Sequence, residues 1–103
     1  MKMKEIASVI RSKNSGPYEL TMDLMFPNDE VFQKVVASNV ISRERIAEIY
    51  QLKPEEVLSI VVFEKARAIK ATIVRPMASG ALGERDVYGA QQHAPLMDLD
   101  VEL

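Results

Sequence analysis

Val57-Leu58-Ser59-Ile60-Val61-Val62-Phe63, Glu64-Lys65-Ala66-Arg67 and Ala68-Ile69-Lys70-Ala71-Thr72-Ile73-Val74-Arg75 run consecutively, and together they decide the fold. Two runs rich in β-branched and aromatic residues flank a charged break of hairpin length, the pattern of an antiparallel hairpin at the centre of a sheet. The second arm alternates, with Ile69, Ala71 and Ile73 on one face and Lys70 and Thr72 on the other. In the first arm, strict alternation assigns Leu58, Ile60 and Val62 to one face and Val57, Val61 and Phe63 to the other. Both faces are then apolar and both require cover. Another protein chain is one candidate for that cover.

Upstream, residues 18–26 alternate cleanly. Leu20, Met22, Leu24 and Phe26 point one way, and Glu19, Thr21, Asp23 and Met25 the other, which predicts a strand. Asn28 is a helix N-cap with acidic residues after it, and Phe32, Val35 and Val36 form the buried stripe of a helix that Ser38-Asn39 ends. Ser42 caps a second helix through Tyr50, with Ile46, Ile49 and Tyr50 facing in, and Pro54-Glu55-Glu56 adds one helical turn. Met3, Ile6, Ala7 and Ile10 fall at helical spacing, so a short amphipathic helix is expected over residues 3–11, with a strand as the alternative. At the other end Met97, Leu99, Val101 and Leu103 alternate with Asp98, Asp100 and Glu102, predicting a closing strand with a solvated acidic edge.

Strand, two helices, hairpin, irregular segment, strand is the plan of an α+β fold. Specifically, it is a ferredoxin-like sandwich with a four-stranded antiparallel sheet, helices on one face and an irregular second crossover. On that plan the face away from the helices carries Met25, Val61, Phe63 and Val74 among Thr21, Lys70 and Thr72. A mixed apolar patch of this kind suits a subunit contact. The alternative is that residues 3–11 and the long loop fold back over it.

The totals set bounds. At 103 residues the chain is one domain with enough material for a core, and 48% hydrophobic with 27% charged residues is an ordinary globular balance. A net charge of -2 argues against a nucleic-acid binder. The chain has no cysteine, which removes disulfides, thiolate catalysis and thiolate metal sites. No apolar run reaches the ~20 residues that span a bilayer. The opening Met1-Lys2-Met3-Lys4-Glu5 is not that of a signal peptide, so a soluble cytoplasmic protein is expected.

Two clusters carry chemistry. Arg11, Ser12, Lys13, Asn14, Ser15 and Gly16 put two cations, two hydroxyls, an amide and a flexible glycine into six residues. Read as a loop before the first strand, they suit an anionic ligand such as a carboxylate or phosphate, although the glycine spacing is not that of a Walker loop. The bland reading is a polar turn. The second cluster, residues 86–95, is expected to hold a short helix that Pro95 ends. It contains Tyr88, Gln91, Gln92 and His93, the last being the only histidine and the side chain that titrates nearest neutrality. His93 with Tyr88 would serve as an acid–base pair, with Gln91 and Gln92 as ligand contacts. Its bland reading is a capping or hydrogen-bonding histidine. One histidine and scattered carboxylates do not make a metal site. The glycines of Ser79-Gly80-Ala81-Leu82-Gly83 serve a loop doubling back over a sheet.

Ile10-Arg11-Ser12-Lys13-Asn14-Ser15-Gly16-Pro17-Tyr18-Glu19-Leu20-Thr21, together with Asp86-Val87-Tyr88-Gly89-Ala90-Gln91-Gln92-His93-Ala94-Pro95-Leu96, resembles the small family known as domain of unknown function 4387. The likeness covers essentially the whole chain. Members of that family resemble partners of the acyclic terpene utilisation protein AtuA, beside which or fused to which they occur. The small ferredoxin-like C-terminal domain of AtuA-type proteins is also similar in layout. The resemblance implies a small subunit that works with an AtuA-like large subunit on carboxylic acids or their coenzyme A thioesters; a homo-oligomer is expected beside or instead of that partnership. On the ferredoxin-like plan the two clusters precede neighbouring strands and would converge at one end of the sheet, and any cofactor is left unspecified. The alternatives are an independent lyase or hydratase using His93, and a non-catalytic ligand-sensing domain. RNA recognition ranks last, because the aromatic RNA motif is absent.

Overall fold

The computed structural model describes residues 1–14, 18–74, 94–97 and 99–101. In chain order these form α1 (Met3–Ile6), β1 (Val9–Asn14), β2 (Glu19–Met25), α2 (Asp29–Ser38), α3 (Arg43–Tyr50), a 3-10 turn (Pro54–Glu56), β3 (Val57–Phe63), β4 (Ala68–Val74) and α4 (Ala94–Met97). The strands make one antiparallel sheet in the order β1-β2-β4-β3. The fold is α+β, as the patterning predicts.

Period two in β2 and β4 selects the packed face. Leu20, Met22 and Leu24 stand opposite Ile73, Ala71 and Ile69, and all six are buried. Phe32 and Val35 of α2, Ile46 and Ala47 of α3, and Met3 and Ile6 of α1 join the same core, as do Leu96, Leu99 and Val101 near the end of the described chain. The helices therefore share one face. Both expected N-caps are present. The Asn28 side chain accepts from the Val31 N–H at 2.9 Å, and Ser42 Oγ accepts from the Arg45 N–H at 3.1 Å. Asn39 ends α2 in the left-handed region at φ 55°, and Gln51 ends α3 in the same way at φ 57°.

Four expectations need correction. First, residues 3–11 are not one helix: helix stops at Ile6, and Val9–Asn14 forms the edge strand β1. Met3 and Ile6 are one helical turn apart, whereas Ile10 belongs to the strand period. Second, the position beside β2 is held by β1 and not by a closing strand. Leu99 and Val101 are buried and Asp100 is exposed, so the alternation is real. The segment bonds instead to the first residues of the chain, Met3 N–H to Leu99 O and Val101 N–H to Met1 O, each at 2.8 Å. Third, the helix near Pro95 is Ala94–Met97, so Pro95 sits in its first turn rather than ending it. The remainder of the second crossover, residues 75–93, lies outside the described residues.

Fourth, β3 does not alternate strictly. Val57 pairs with Ile73 and Ser59 with Thr72, so Leu58 is an extra residue in a bulge. The bulge turns Val57 to the helix face, where it is fully buried, and leaves Ile60 and Val62 on that face with it. Val61 and Phe63 stay on the open face, as expected. At the far end of the hairpin Arg67 adopts φ 50°. Its side chain bonds Asp29 at 2.9 Å and its carbonyl accepts from the Phe26 N–H, which ties the turn to the start of α2.

Burial also pushes the Tyr50 hydroxyl well above its ordinary value near 10.0. The folded chain then holds a proton that the unfolded chain releases, so this group lowers stability as pH rises past about 10. Tyr50→Phe should flatten that alkaline loss in denaturant melts between pH 9 and 11, relative to the parent chain. In the core, Leu24→Ala should cost about 2–5 kcal/mol of unfolding free energy, against less than about 0.5 kcal/mol for Glu55→Ala on the surface. Equal losses at the two positions would contradict the single-faced core.

Candidate functional site

The register lays the open face out in rows, because residues directly opposite in antiparallel strands project to the same side. One row is Val9, Met25, Ala68 and Phe63, apolar across all four strands. Beside it run Arg11, Asp23, Lys70 and Val61. Beyond that run Lys13, Thr21, Thr72 and Ser59. The face thus grades from apolar through ionic to hydroxyl-bearing within a few residues.

Met25, Val61, Phe63, Val74, Thr21, Lys70 and Thr72 all fall on this face, as the patterning predicts. Residues 3–11 do not fold over it, and the long loop expected to join them, residues 75–93, lies outside the described residues. α1 packs into the core on the helix side, and β1 extends the sheet at its edge.

Asp23 is the centre of the ionic row. Its carboxylate is only 10% exposed, and Arg11 Nε meets Oδ2 at 3.2 Å from one neighbouring strand. Lys70 stands opposite from the other neighbouring strand. Thr21, also buried, donates from Oγ1 to the Lys13 carbonyl at 3.4 Å. Among the described residues neither the Lys13 nor the Lys70 ammonium has an ion-pair partner. Arg11, Lys13 and Lys70 are therefore three cations set against Asp23 on a face whose other carboxylate, Glu19, lies at the end of β2. Among the described residues this part of the face is locally cationic on a chain of net charge -2.

The expected six-residue loop does not exist as a loop over its first four members. Arg11, Ser12, Lys13 and Asn14 lie in β1. Alternation splits them, with Arg11 and Lys13 on the open face and Ser12 and Asn14 on the helix side, where Ser12 is buried. Four residues on two faces cannot converge on one ligand, so the cations find their neighbours across the sheet instead. Ser15, Gly16, Tyr88, Gln91, Gln92 and His93 lie outside the described residues. The expected convergence of the two clusters also loses its basis, because no closing strand lies beside β2. Sequence reasoning missed Asp23 and Lys70 as members of the site. Their signal was the charge they place on otherwise apolar-flanked central strands.

On the other side of the sheet a groove of about 380 Å³ opens between β3 and the α2–α3 connection, floored by Val35, Val36, Ile60, Val62 and Ile69. Arg43 stands at one end, donating from Nη1 to the Val57 carbonyl at 2.7 Å. Among the described residues no three carboxylate or imidazole groups are grouped to hold a metal ion. No described helix is long and apolar enough to cross a membrane.

No match was found among curated proteins or among solved structures. The family model described as domain of unknown function (DUF4387) matches residues 3–100, nearly the whole length, and so spans α1, every strand of the sheet and α4. The chain belongs to the DUF4387 family.

Proposed function

We propose that this chain is a small accessory subunit of an AtuA-like enzyme complex acting on carboxylic acids or their coenzyme A thioesters. It meets its large partner through the open face of the sheet and contributes cations to an anionic-substrate site. The observation that carries this reading is the adjacency of the apolar row Val9-Met25-Ala68-Phe63 to the ionic row Arg11-Asp23-Lys70.

An apolar strip on one side of a sheet favours burial against another protein. Once it is covered, the charges beside it lie at the margin of the contact, where water is partly excluded and attraction to a carboxylate strengthens. Asp23 is then a positioning residue. It holds Arg11 along the sheet and offsets part of the positive charge until an anion arrives. A lyase or hydratase working on such acids needs its substrate carboxylate fixed while a neighbouring bond reacts, and cations on a rigid sheet meet that need without a loop rearrangement.

Light scattering after size-exclusion chromatography tests the partnership, using this chain mixed with an AtuA-like protein. The expected result is a stable mixed complex that Met25→Glu or Val9→Glu weakens by about tenfold or more, because a charge in the apolar strip is left desolvated. Separate elution of the two proteins removes the reading. Within the complex, binding of a short dicarboxylate followed by calorimetry should respond to charge with opposite signs. Asp23→Asn should tighten it and Lys70→Met weaken it, each by roughly fivefold, the value of about 1 kcal/mol for one solvated charge at contact distance. Raising salt should shrink both effects.

A further inference from the structure

β1 and β3 are the two edges of the sheet, and they are built differently. β1 carries Arg11 and Lys13, the kind of charged side chains that discourage strand pairing at an edge. β3 has seven residues, Val-Leu-Ser-Ile-Val-Val-Phe, with no charge and no proline. Leu58, Val61, Val62 and Phe63 are 41–45% exposed there. Beyond the ladder to β4, no hydrogen bond to another described residue involves the backbone of residues 58–63. Only the Val57 carbonyl is capped, by Arg43. An uncapped apolar edge of this length is a template for another strand.

We propose that β3 pairs antiparallel with β3 of a second copy of this chain, joining two four-stranded sheets into one of eight. The bulge at Leu58 leaves Ser59–Phe63 as the regular run, and its centre is Val61. A two-fold axis through Val61 lets the whole run pair. Val61 then faces Val61, Ile60 faces Val62 and Ser59 faces Phe63, each pair on one face of the joined sheet.

Charge selects the same partner. The strand itself brings no like charges to the axis. Antiparallel pairing also sets the acidic turn Glu55-Glu56 of each copy towards Lys65 in the β3–β4 turn of the other, while Arg67 of that turn stays with Asp29 of its own chain. Val62 of each copy lies at the mouth of the other's apolar groove, next to Ile60. This contact is made through the backbone edge of β3, with side-chain pairs on both faces, and does not depend on the open-face partner.

The absence of cysteine makes the register testable. A single Val61→Cys places two thiols opposite each other, with Cα atoms about 4.5–5.5 Å apart, inside the range of a disulfide. Under mild oxidation this variant should form a covalent dimer, while Val9→Cys, equally exposed on the β1 edge, should not. Light scattering of the parent chain alone should give twice the 11.6 kDa chain mass, and Val62→Lys should shift it to monomer by at least tenfold in dissociation constant with an unchanged circular dichroism spectrum. A parent chain that is monomeric throughout the micromolar range overturns the proposal, as does a dimer that cross-links through Val9 or ignores Val62→Lys. Dimer formation with loss of AtuA-like binding, or the reverse, separates this contact from the open-face one.

Discussion

Leu20, Met22 and Leu24 leave no water on one side of β2, and the rest of the molecule follows from that dry strip. β2 pairs on both flanks, so each of its core residues fixes the facing of one residue in β1 and one in β4. A slip of one residue would place Asp23 and Thr21 under the helices and Leu24 outside. Burying an unpaired carboxylate costs several kcal/mol, far more than a hydrophobic misfit, so the register has one solution. Helix positions are then secondary. α2 and α3 need only cover the apolar strip, and their caps at Asn28 and Ser42 set where they begin.

The same parity organises the functional face. Arg11, Lys70, Lys13 and Thr72 are distant in sequence, and each reaches its place only because it stands opposite an odd-numbered residue of β2. Asp23 sits on the central strand between two cations, while the strand edges carry the exposed apolar residues Val9, Val61 and Phe63. A shielded carboxylate in the middle, with cations on one margin and exposed apolar side chains on both, makes a mixed surface of the kind found at contacts between chains.

Legibility in the sequence tracked how far each signal was local. The central hairpin, β2, both long helices and their caps were readable because period, cap residue and burial agree within each segment. The start of the chain was not, because helical spacing at Met3 and Ile6 runs directly into strand spacing at Ile10, and one window averages the two. Arg11 to Asn14 read as a loop for a related reason: an edge strand tolerates charges on its outer face, so polarity no longer marks a turn. Val57 was assigned to the wrong face because the bulge at Leu58 has no glycine or proline to announce it. Asp23 and Lys70 escaped notice as a pair because only the β2–β4 register brings residues 47 positions apart together, and no local pattern encodes that pairing.

The bulge also separates the two surfaces of β3. Without it, Val57 would join Val61 and Phe63 on the open face, and the helix side would lose the residue that seals the core beneath Arg43. With it, the open face keeps Val61 and Phe63 at the end of the ionic and apolar rows, while Ile60 and Val62 border the groove on the other side. One strand thus presents an apolar pair to each face and, between them, a backbone edge that no other described strand pairs with. Contacts made through the face and through the edge engage different atoms of β3, so a contact along the edge leaves the side chains of the open face in place.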